Sequence, residues 1–350
     1  MSLAKTLLQD IRAAYPSNLD RDHLRVTRHG LLTAVLNMTN SASSILSGDL
    51  KKKALVSQGR NLDVPVMKKG TVTIKNARSC VVQCGQSETD LVRIVWRTMV
   101  ADICMVPSQY ELNEIGYMDD FNEKVKNTVE AFKTEMEVDI DSFIDTNKNQ
   151  VYNSSLVGGA GAKYALTASA MQVAAGDRQL FLNDIDPINF EDDFYSEDVN
   201  IIASPTLMSD VRHYINQGEG NDENLKYQFN GKSFTFSNRI TNGQYATGYF
   251  MPNGSIGLLT RIDADARMNA KSTRGTQWSQ DTLPGLPFPV GIKYDSECSD
   301  QSALEATGYD HLTATLVEHF QISYDFAIVV PFSDDLATES VAIRKFELLA

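Results

Sequence analysis

One long amphipathic stretch, residues 108–149, constrains the fold most strongly. Its apolar residues recur at spacings of three and four, which places them on one face of an α-helix: Met118, Phe121, Val125, Val129, Phe132, Met136, Ile140 and Phe143. No Gly or Pro lies between Met118 and Gln150. Ser108 and Glu111 predict a capping box, so we expect one helix over 109–145, about 55 Å long. Other parts of the protein must pack along so long a helix, which we call the spine helix.

The charge of the chain is distributed unevenly. Residues 1–75 carry a net charge of +7 and residues 76–350 carry −20, which together give −13. The acidic part includes the predicted spine helix, whose charged face in isolation is most simply a solvated surface. Two interpretations of the basic part stay open. It binds nucleic acid, or it binds the acidic surface of another copy of the chain.

Composition places the chain among folded proteins with substantial cores. Its 350 residues are 42% hydrophobic, which allows one large domain or two to three smaller ones. The sequence lacks an apolar run of about eighteen residues, and its first residues lack the pattern of a signal peptide. We therefore expect a soluble protein with no membrane partner. Four cysteines in a chain of this length suit a reducing compartment.

The remaining pattern predicts a mixed α+β protein. After the lysines at 51–53, residues 54–84 read as extended, and a second strand-rich run leads into the spine helix, so we expect a long two-stranded excursion. Pro187 is expected to break any helix over 180–195. Residues 199–204 predict a short buried strand, and Ser204 predicts the N-cap of the helix that follows.

The last third of the chain returns to strands. Asn230-Gly231 and Asn253-Gly254 each predict a β-hairpin turn. One strand predicted over 319–330 has alternating apolar residues, Phe320, Ile322, Tyr324, Phe326, Ile328 and Val330. Strands and helices do not alternate regularly along the chain, which disfavours a nucleotide-binding sheet.

The sequence contains partial matches to catalytic and metal-binding motifs, and each lacks residues that the complete motif requires. Asp145 opens a sequence like a calcium loop, but positions six and twelve lack the required Gly and Glu. Lys163 follows a glycine-rich run without the Ser or Thr of a phosphate loop. Cys80 and Cys84 lack a second ligand pair nearby, and the five histidines are scattered. We therefore expect no catalytic residues, no metal and no cofactor.

Several segments, in order, are similar to those of a known family. They are IIASPTLMSDVRHYINQGEGNDEN, FTFSNRI, TGYFMPNGSIGLLTRIDADAR, TQWSQ, LPFPVGIKYD and the terminal IRKFELL. Together with the basic arm, the long excursion and the lone spine helix, they resemble the major capsid protein of tailed bacteriophages, which has the Hong Kong 97-like fold. The resemblance covers about the last three quarters of the chain, and the arm matches by position only.

The resemblance implies a division of the chain and a mechanical role. Residues 1–47 would form the N-terminal arm, 48–106 the E-loop with its base strands, 107–154 the P-domain spine helix, 155–310 mainly the A-domain, and 311–350 the P-domain return strands. The family builds icosahedral heads around double-stranded DNA from hexamers and pentamers of one chain. Expected partners are therefore other copies, portal, scaffolding and minor or decoration proteins, and non-specifically bound DNA. The expected location is the virion capsid, assembled in the cytoplasm of a bacterial host.

The same resemblance suggests where copies meet. In this family the arm and E-loop lie over a neighbouring subunit, so basic and acidic residues become candidates for contacts between subunits: Lys51, Lys52, Lys53, Lys68, Lys69, Asp119, Asp120, Glu123 and Glu130. Arg12, Arg21, Arg25 and Arg28 are candidates for an arm that faces packaged DNA. Some members join the E-loop to a neighbour through a Lys–Asn bond, but no local motif here identifies such a pair.

Two other functions remain as alternatives. An encapsulin-type nanocompartment shell shares the fold and would enclose enzyme cargo instead of a genome. A soluble α+β hydrolase would need a nucleophile and a base that meet only in three dimensions.

Overall fold

The computed structural model describes residues 29–41, 44–57, 61–67, 89–110, 116–194, 199–217, 227–229, 232–240, 245–273, 275–299, 315–331 and 342–350. Over these residues the chain is α+β, as predicted, and helices do not alternate regularly with strands. The helices are α1 (Gly30–Asn40), α2 (Gly48–Val56), α3 (Tyr117–Asn147), α4 (Arg178–Glu191), α5 (Leu207–Gln217) and α6 (Ala264–Arg267).

The described strands form three sheets. They are β1 (Asn61–Met67), β2 (Thr89–Val95), β3 (Arg97–Met105), β4 (Ala165–Leu166), β5 (Met171–Val173), β6 (Val199–Ala203), β7 (Tyr227–Phe229), β8 (Lys232–Phe236), β9 (Ala246–Pro252), β10 (Gly257–Arg261), β11 (Gln277–Asp281), β12 (Val290–Ser299), β13 (Thr315–Val329) and β14 (Arg344–Leu348). One sheet is the antiparallel pair β1–β2, one has five strands around β13, and one has seven strands.

Helix α3 is the predicted spine helix, but it begins later than expected. It runs for 31 residues from Tyr117, about 46 Å. The predicted capping box is wrong, because Ser108 lies in a separate 3-10 turn, Pro107–Tyr110. Glu111 lies outside the described residues. Gly116 precedes α3 with extended backbone, and the Tyr110 hydroxyl donates a hydrogen bond to Asp120 in the first turn.

The apolar stripe of α3 lies in the main core. Of its eight predicted members, six are buried: Phe121, Val125, Val129, Phe132, Met136 and Ile140. Met118 is half-buried. Near the end of the helix Ile144 is buried in place of Phe143, which packs partly exposed against the same cluster. The stripe drifts because 3.6 residues per turn do not match a strict repeat.

The five-stranded sheet packs against this stripe through β13. That strand pairs antiparallel with β3, β12 and β10, and β11 lies beyond β12. The predicted alternation is confirmed for Phe320, Ile322, Tyr324 and Phe326, which are buried on one face. The rings of Phe121 and Phe320 lie 4.7 Å apart, and those of Phe132 and Tyr324 lie 5.1 Å apart.

The seven-stranded sheet is covered on both faces. Its order is β4-β5-β14-β9-β6-β8-β7, with parallel pairs β5–β14 and β6–β8. One face forms a second core with α4 and α5. From the other face, Ile202, Tyr249 and Met251 join the core of α3, which also takes in α1. The end of α3 is tied to this sheet, because Asp145 accepts hydrogen bonds from the Tyr249 hydroxyl at 3.0 Å and Lys345 Nζ at 2.9 Å.

The two predicted hairpin turns have different outcomes. Around Asn230-Gly231, which lie outside the described residues, β7 and β8 pair antiparallel as predicted. The hairpin at Asn253-Gly254 is wrong. A tight turn forms there, with Gly254 at φ 86°, but β9 joins the seven-stranded sheet and β10 the five-stranded sheet. This turn therefore passes the chain between the two main sheets.

Three smaller expectations are corrected. The lysines at 51–53 lie in helix α2, not in a strand lead-in, because Ser47 caps that helix by accepting a bond from Leu50 N. Pro187 does not break α4 but lies within it. Helix α5 begins at Leu207, and the Ser204 side chain instead accepts a bond from Thr247 N at 3.2 Å in the neighbouring strand.

The domain boundaries stay a prediction, and the sheets cut across them. Strands β10, β11 and β12 fall within 155–310 but share the five-stranded sheet with β13. Strand β14 falls within 311–350 but lies in the seven-stranded sheet. Helix α1 falls within the expected arm, yet its side chains Leu31, Leu32, Val35 and Met38 are buried in the main core.

Candidate functional surfaces

Two open clefts stand out among the described residues. One has a volume of about 490 Å³ and lies between α1, α3 and the loop at Gly285. The other, about 260 Å³, lies over charged side chains of β3, β12 and β13. Within the described part of the chain, His, Cys, Asp and Glu do not gather into a group able to hold a metal ion. None of the described helices has the length and apolar character needed to span a bilayer.

The outer surface of the hairpin of β1 and β2, which we call the hairpin outer face, carries exposed apolar groups around the Asp63–Arg93 ion pair. Pairing places Pro65 opposite Leu91 and Asn61 opposite Val95 on this face, together with Met67. Met67 is 72% exposed, Leu91 67% and Val95 65%. The other side of the hairpin is half-buried, and its Ile94 is buried in a small core with Ala54 of α2. A two-stranded sheet is only marginally stable by itself in water, so exposed apolar groups on it favour a further binding partner.

The candidate lysines before the hairpin differ in their surroundings. Lys51 donates a hydrogen bond from Nζ to the carbonyl oxygen of Thr39 at 2.7 Å, which ties α2 to the end of α1. Lys52 and Lys53 are exposed on α2. Lys68 and Lys69 lie outside the described residues, as do Arg12, Arg21, Arg25 and Arg28. Of the basic candidates that the structure describes, Lys52 and Lys53 are therefore best placed to meet another molecule.

Three of the four acidic candidates on α3 have partners in their own chain. Asp120 pairs with Lys124 at 2.9 Å, and Glu123 lies 3.6 Å from Lys126. Burial alone would raise the pKa of Asp120, but hydrogen bonds from Tyr110 and Lys124 lower it.

Glu130, the third, lies 2.9 Å from both His29 Nε2 and Lys133 Nζ, and these contacts lower its pKa against the effect of burial. Asp119 is exposed in the first turn of α3. Three of the four acidic candidates are therefore already engaged within their own subunit.

Sequence reasoning missed the most unusual carboxylate of the spine helix. Glu137 belongs to the acidic residues of the spine helix, whose charged face the sequence predicts to be solvated, yet it is fully buried. Its Oε1 accepts bonds from Leu31 N at 2.9 Å and Leu32 N at 3.4 Å, and its Oε2 lies 3.5 Å from His29 Nδ1. Burial raises the pKa of Glu137. One signal was present in the sequence, because Glu137 precedes Ile140 by three residues and so shares its side of the helix.

The comparisons with known proteins identify the fold. No protein-family model and no curated protein matches the sequence. Among solved structures, a chain from Mycobacterium phage Che8 is similar with a TM-score of 0.52 and 9% identity, over 95% of this chain and 97% of that one. A chain of the cyanophage Pam1 capsid asymmetric unit is similar with a TM-score of 0.52 and 12% identity, over 96% and 97%. At such low identity the likeness shows the fold, which is the Hong Kong 97-like fold expected from the sequence.

Proposed function

We propose that this chain, which has the fold of a phage capsid subunit along nearly its whole length, is the major capsid protein of a tailed bacteriophage. One observation carries the proposal beyond the fold. The hairpin outer face holds large apolar side chains, Met67, Leu91 and Val95, that the described residues of its own chain leave exposed. A shell subunit needs such a surface, because each copy must bury part of itself on the next.

The proposed assembly consists of hexamers and pentamers that close into an icosahedral head around double-stranded DNA. Its partners would be other copies of the chain first, and then portal, scaffolding and minor or decoration proteins. The subunit would act mechanically in the virion capsid, assembled in the host cytoplasm, without a catalytic centre, a metal or a cofactor.

Electrostatics would guide the register of neighbouring copies. Lys52 and Lys53 stand exposed beside the hairpin root, and the body of the chain is strongly acidic. Opposite charges on two copies speed their association and disfavour wrong orientations, while the apolar groups of the hairpin outer face supply the attraction that holds the copies together.

The arginines of the arm, Arg12, Arg21, Arg25 and Arg28, would face the packaged DNA and neutralise phosphates. Binding of DNA by the intact subunit that weakens with rising salt, less steeply after these arginines are changed to Ala, tests that role.

Negative-stain electron microscopy of the purified protein tests the proposal. Closed particles or hexameric rings are the expected result. A monomer that stays dispersed under all assembly conditions and turns over a substrate from a hydrolase panel would favour the soluble hydrolase. Closed particles that contain enzyme cargo, with no nucleic acid, would favour the encapsulin-type compartment.

A further inference from the structure

The root of the hairpin is a junction between two sheets. Among the described strands, β1 and β2 pair only with each other, while β3 pairs with β13 in the five-stranded sheet. Trp96 is the single residue between β2 and β3, and Ser57 follows α2 just before β1. Sheet hydrogen bonds do not fix the direction of the hairpin. It depends on the small core that contains Ile94 and on how the chain is held at Ser57 and Trp96, the two crossing points where it enters and leaves the hairpin.

Both crossing points meet one buried guanidinium. Arg261, at the end of β10, is 7% exposed, and its Nη1 donates a hydrogen bond to the carbonyl oxygen of Ser57 at 3.3 Å. The same guanidinium stacks over the indole ring of Trp96, 4.6 Å from the ring centre. A planar guanidinium can do both at once, because its donors lie in the plane and its face is free to stack.

The guanidinium is itself fixed to the body of the subunit. Arg261 Nε pairs with Asp325 Oδ2 at 2.8 Å, and both side chains are mostly buried. Asp325 lies on β13, and its other oxygen accepts a hydrogen bond from Thr98 Oγ1 of β3 at 2.7 Å. Through Asp325 and Arg261, Ser57 and Trp96 are therefore held in a fixed position relative to the five-stranded sheet. In a partly buried site such charge-assisted bonds are stronger than at the surface.

Two further arginines reinforce the same junction from other sides. Arg97, the first residue of β3, pairs with Asp139 of the spine helix. Arg267 of α6 donates to the carbonyl oxygen of Leu55 near the end of α2. Both side chains are more exposed than Arg261, and neither contact reaches both crossing points. Arg261 is the residue among the three that joins the entering chain, the leaving chain and the sheet.

We propose that Arg261 is the positioning residue that sets the angle at which the hairpin leaves the subunit. Without the Arg261 guanidinium, its hydrogen bond to Ser57 and its stacking on Trp96 would be lost. The hairpin could then swing about these two residues while the spine helix and both large sheets stay packed. The importance of that angle for shell formation rests on the proposed function. The angle itself belongs to the single subunit and is measurable without assembly.

The test uses the full chain with Trp278→Phe, which leaves Trp96 as the single tryptophan. Arg261→Met keeps an unbranched apolar stem without the guanidinium, and Arg261→Lys keeps the charge without the planar guanidinium. Arg93→Met is the matched control, because Arg93 pairs with Asp63 on the exposed side of the same hairpin. Trp96 fluorescence and hydrogen–deuterium exchange by mass spectrometry are measured on unassembled subunits.

A hairpin that swings away from the small core around Ile94 becomes a lone two-stranded sheet, whose hydrogen bonds open readily. We therefore expect Arg261→Met to speed amide exchange in β1 and β2 about tenfold and to shift Trp96 emission to longer wavelength, with α3 unchanged. Arg261→Lys should fall between it and the parent. Arg93→Met removes one exposed cross-strand ion pair, so it should speed exchange in β1 and β2 far less than Arg261→Met does and leave Trp96 emission unchanged. Unchanged exchange in β1 and β2 would overturn the proposal. Equal acceleration in α3 and in the hairpin would also overturn it, since it would show only general destabilisation. If Arg261→Met does not fold, the comparison of Arg261→Lys with Arg93→Met decides by the same criteria.

Assembly gives a separate result. If the parent forms shells, Arg261→Met should give at least tenfold fewer closed particles or particles of mixed size. Normal shells from that variant would refute a positioning role in assembly. If the parent forms no shells under any condition, the proposed function fails, and the exchange experiment still decides whether Arg261 sets the hairpin angle.

Discussion

Glu137 and His29 show how the spine helix accommodates charge inside an apolar core. The carboxylate of Glu137 meets the first backbone N–H groups of α1, which carry the positive end of the helix dipole. His29 lies between this carboxylate and Glu130, and so joins the buried and the exposed sides of α3. The start of α1 is therefore anchored to the middle of the spine helix by polar contacts within the core.

Glu137→Leu should lower the free energy of unfolding by about 2–3 kcal/mol, because buried N–H groups of Leu31 and Leu32 lose their acceptor. Glu137→Gln keeps an acceptor oxygen and should cost about 1 kcal/mol or less. Chemical denaturation of the unassembled subunit measures both, with Glu135→Gln on the exposed side of α3 as the control. Equal stability of Glu137→Leu and the parent would show that the buried carboxylate does not anchor α1.

Asp145 makes stability depend on pH at the other end of the spine helix. Burial would raise its pKa, but hydrogen bonds from Lys148, Lys345 and Tyr249 lower it to about 2. Because this is below the ordinary value of 3.8, ionised Asp145 stabilises the fold above about pH 4, and the stabilisation is lost as the pH falls through about 2. The side chain is 44% exposed, so screening limits the effect to roughly 1 kcal/mol.

Asp145→Asn should therefore destabilise the subunit by roughly 1 kcal/mol at pH 7, and the difference from the parent should shrink as the pH falls from 4 toward 2. Urea denaturation across this range measures the difference, with Asp119→Asn as a control on the same helix. A difference that stays constant with pH would contradict the role given to the ionised carboxylate.

At the scale of elements, the seven-stranded sheet tolerates little added volume where it is covered on both faces. A Cβ atom on Gly248 of β9 would lie 2.6 Å from Phe346 Cζ and 2.9 Å from Ala203 Cβ. Gly248→Ala should lower the free energy of unfolding by about 1–3 kcal/mol through this crowding. Thermal denaturation checks it against Gly159→Ala, where a Cβ meets open space. A Gly248→Ala subunit as stable as that control would mean that the two packed faces adjust freely.

Elements with a strong and continuous pattern were predictable from the sequence. The stripe of α3 and the alternation of β13 each repeat over many residues, so single exceptions such as Glu137 do not hide them. Short signals were less informative. Asn253-Gly254 correctly predicts a tight turn, but whether the flanking strands pair depends on distant strands, here β14 and β13, that compete for them.

The surfaces were predictable only in part, for a similar reason. Charge identified Lys51, Lys52 and Lys53 as a group, but the contact of Lys51 with Thr39 depends on how two helices meet. Likewise Asp120 and Glu130 look like free surface carboxylates until Tyr110 and His29 are brought beside them. Arg261 carries no signal in sequence, because its partners are separated from it by dozens to hundreds of residues.

At the scale of the whole molecule, the uneven charge is expected to act where exposed lysines of α2 meet an acidic surface of the next copy. Lys52→Glu with Lys53→Glu reverses exposed charge beside the hairpin root and spares Lys51, which holds α2. Shell formation should fall by about tenfold or more at low salt, because like charges would then face each other across the contact, while the circular dichroism of the subunit stays unchanged. Light scattering during assembly measures it, with exposed Lys271→Glu as the control. Normal assembly of the double variant would show that the charges of Lys52 and Lys53 do not guide assembly.

The central claim is that the hairpin outer face of one copy is covered by the next copy in a closed shell. Electron cryomicroscopy of particles formed by this chain measures that contact directly. We predict icosahedral particles built from pentamers and hexamers, in which Pro65, Met67, Leu91 and Val95 lie against a neighbouring subunit. Particles in which this face stays exposed or folds back onto its own subunit, or a preparation that remains monomeric, would contradict the claim.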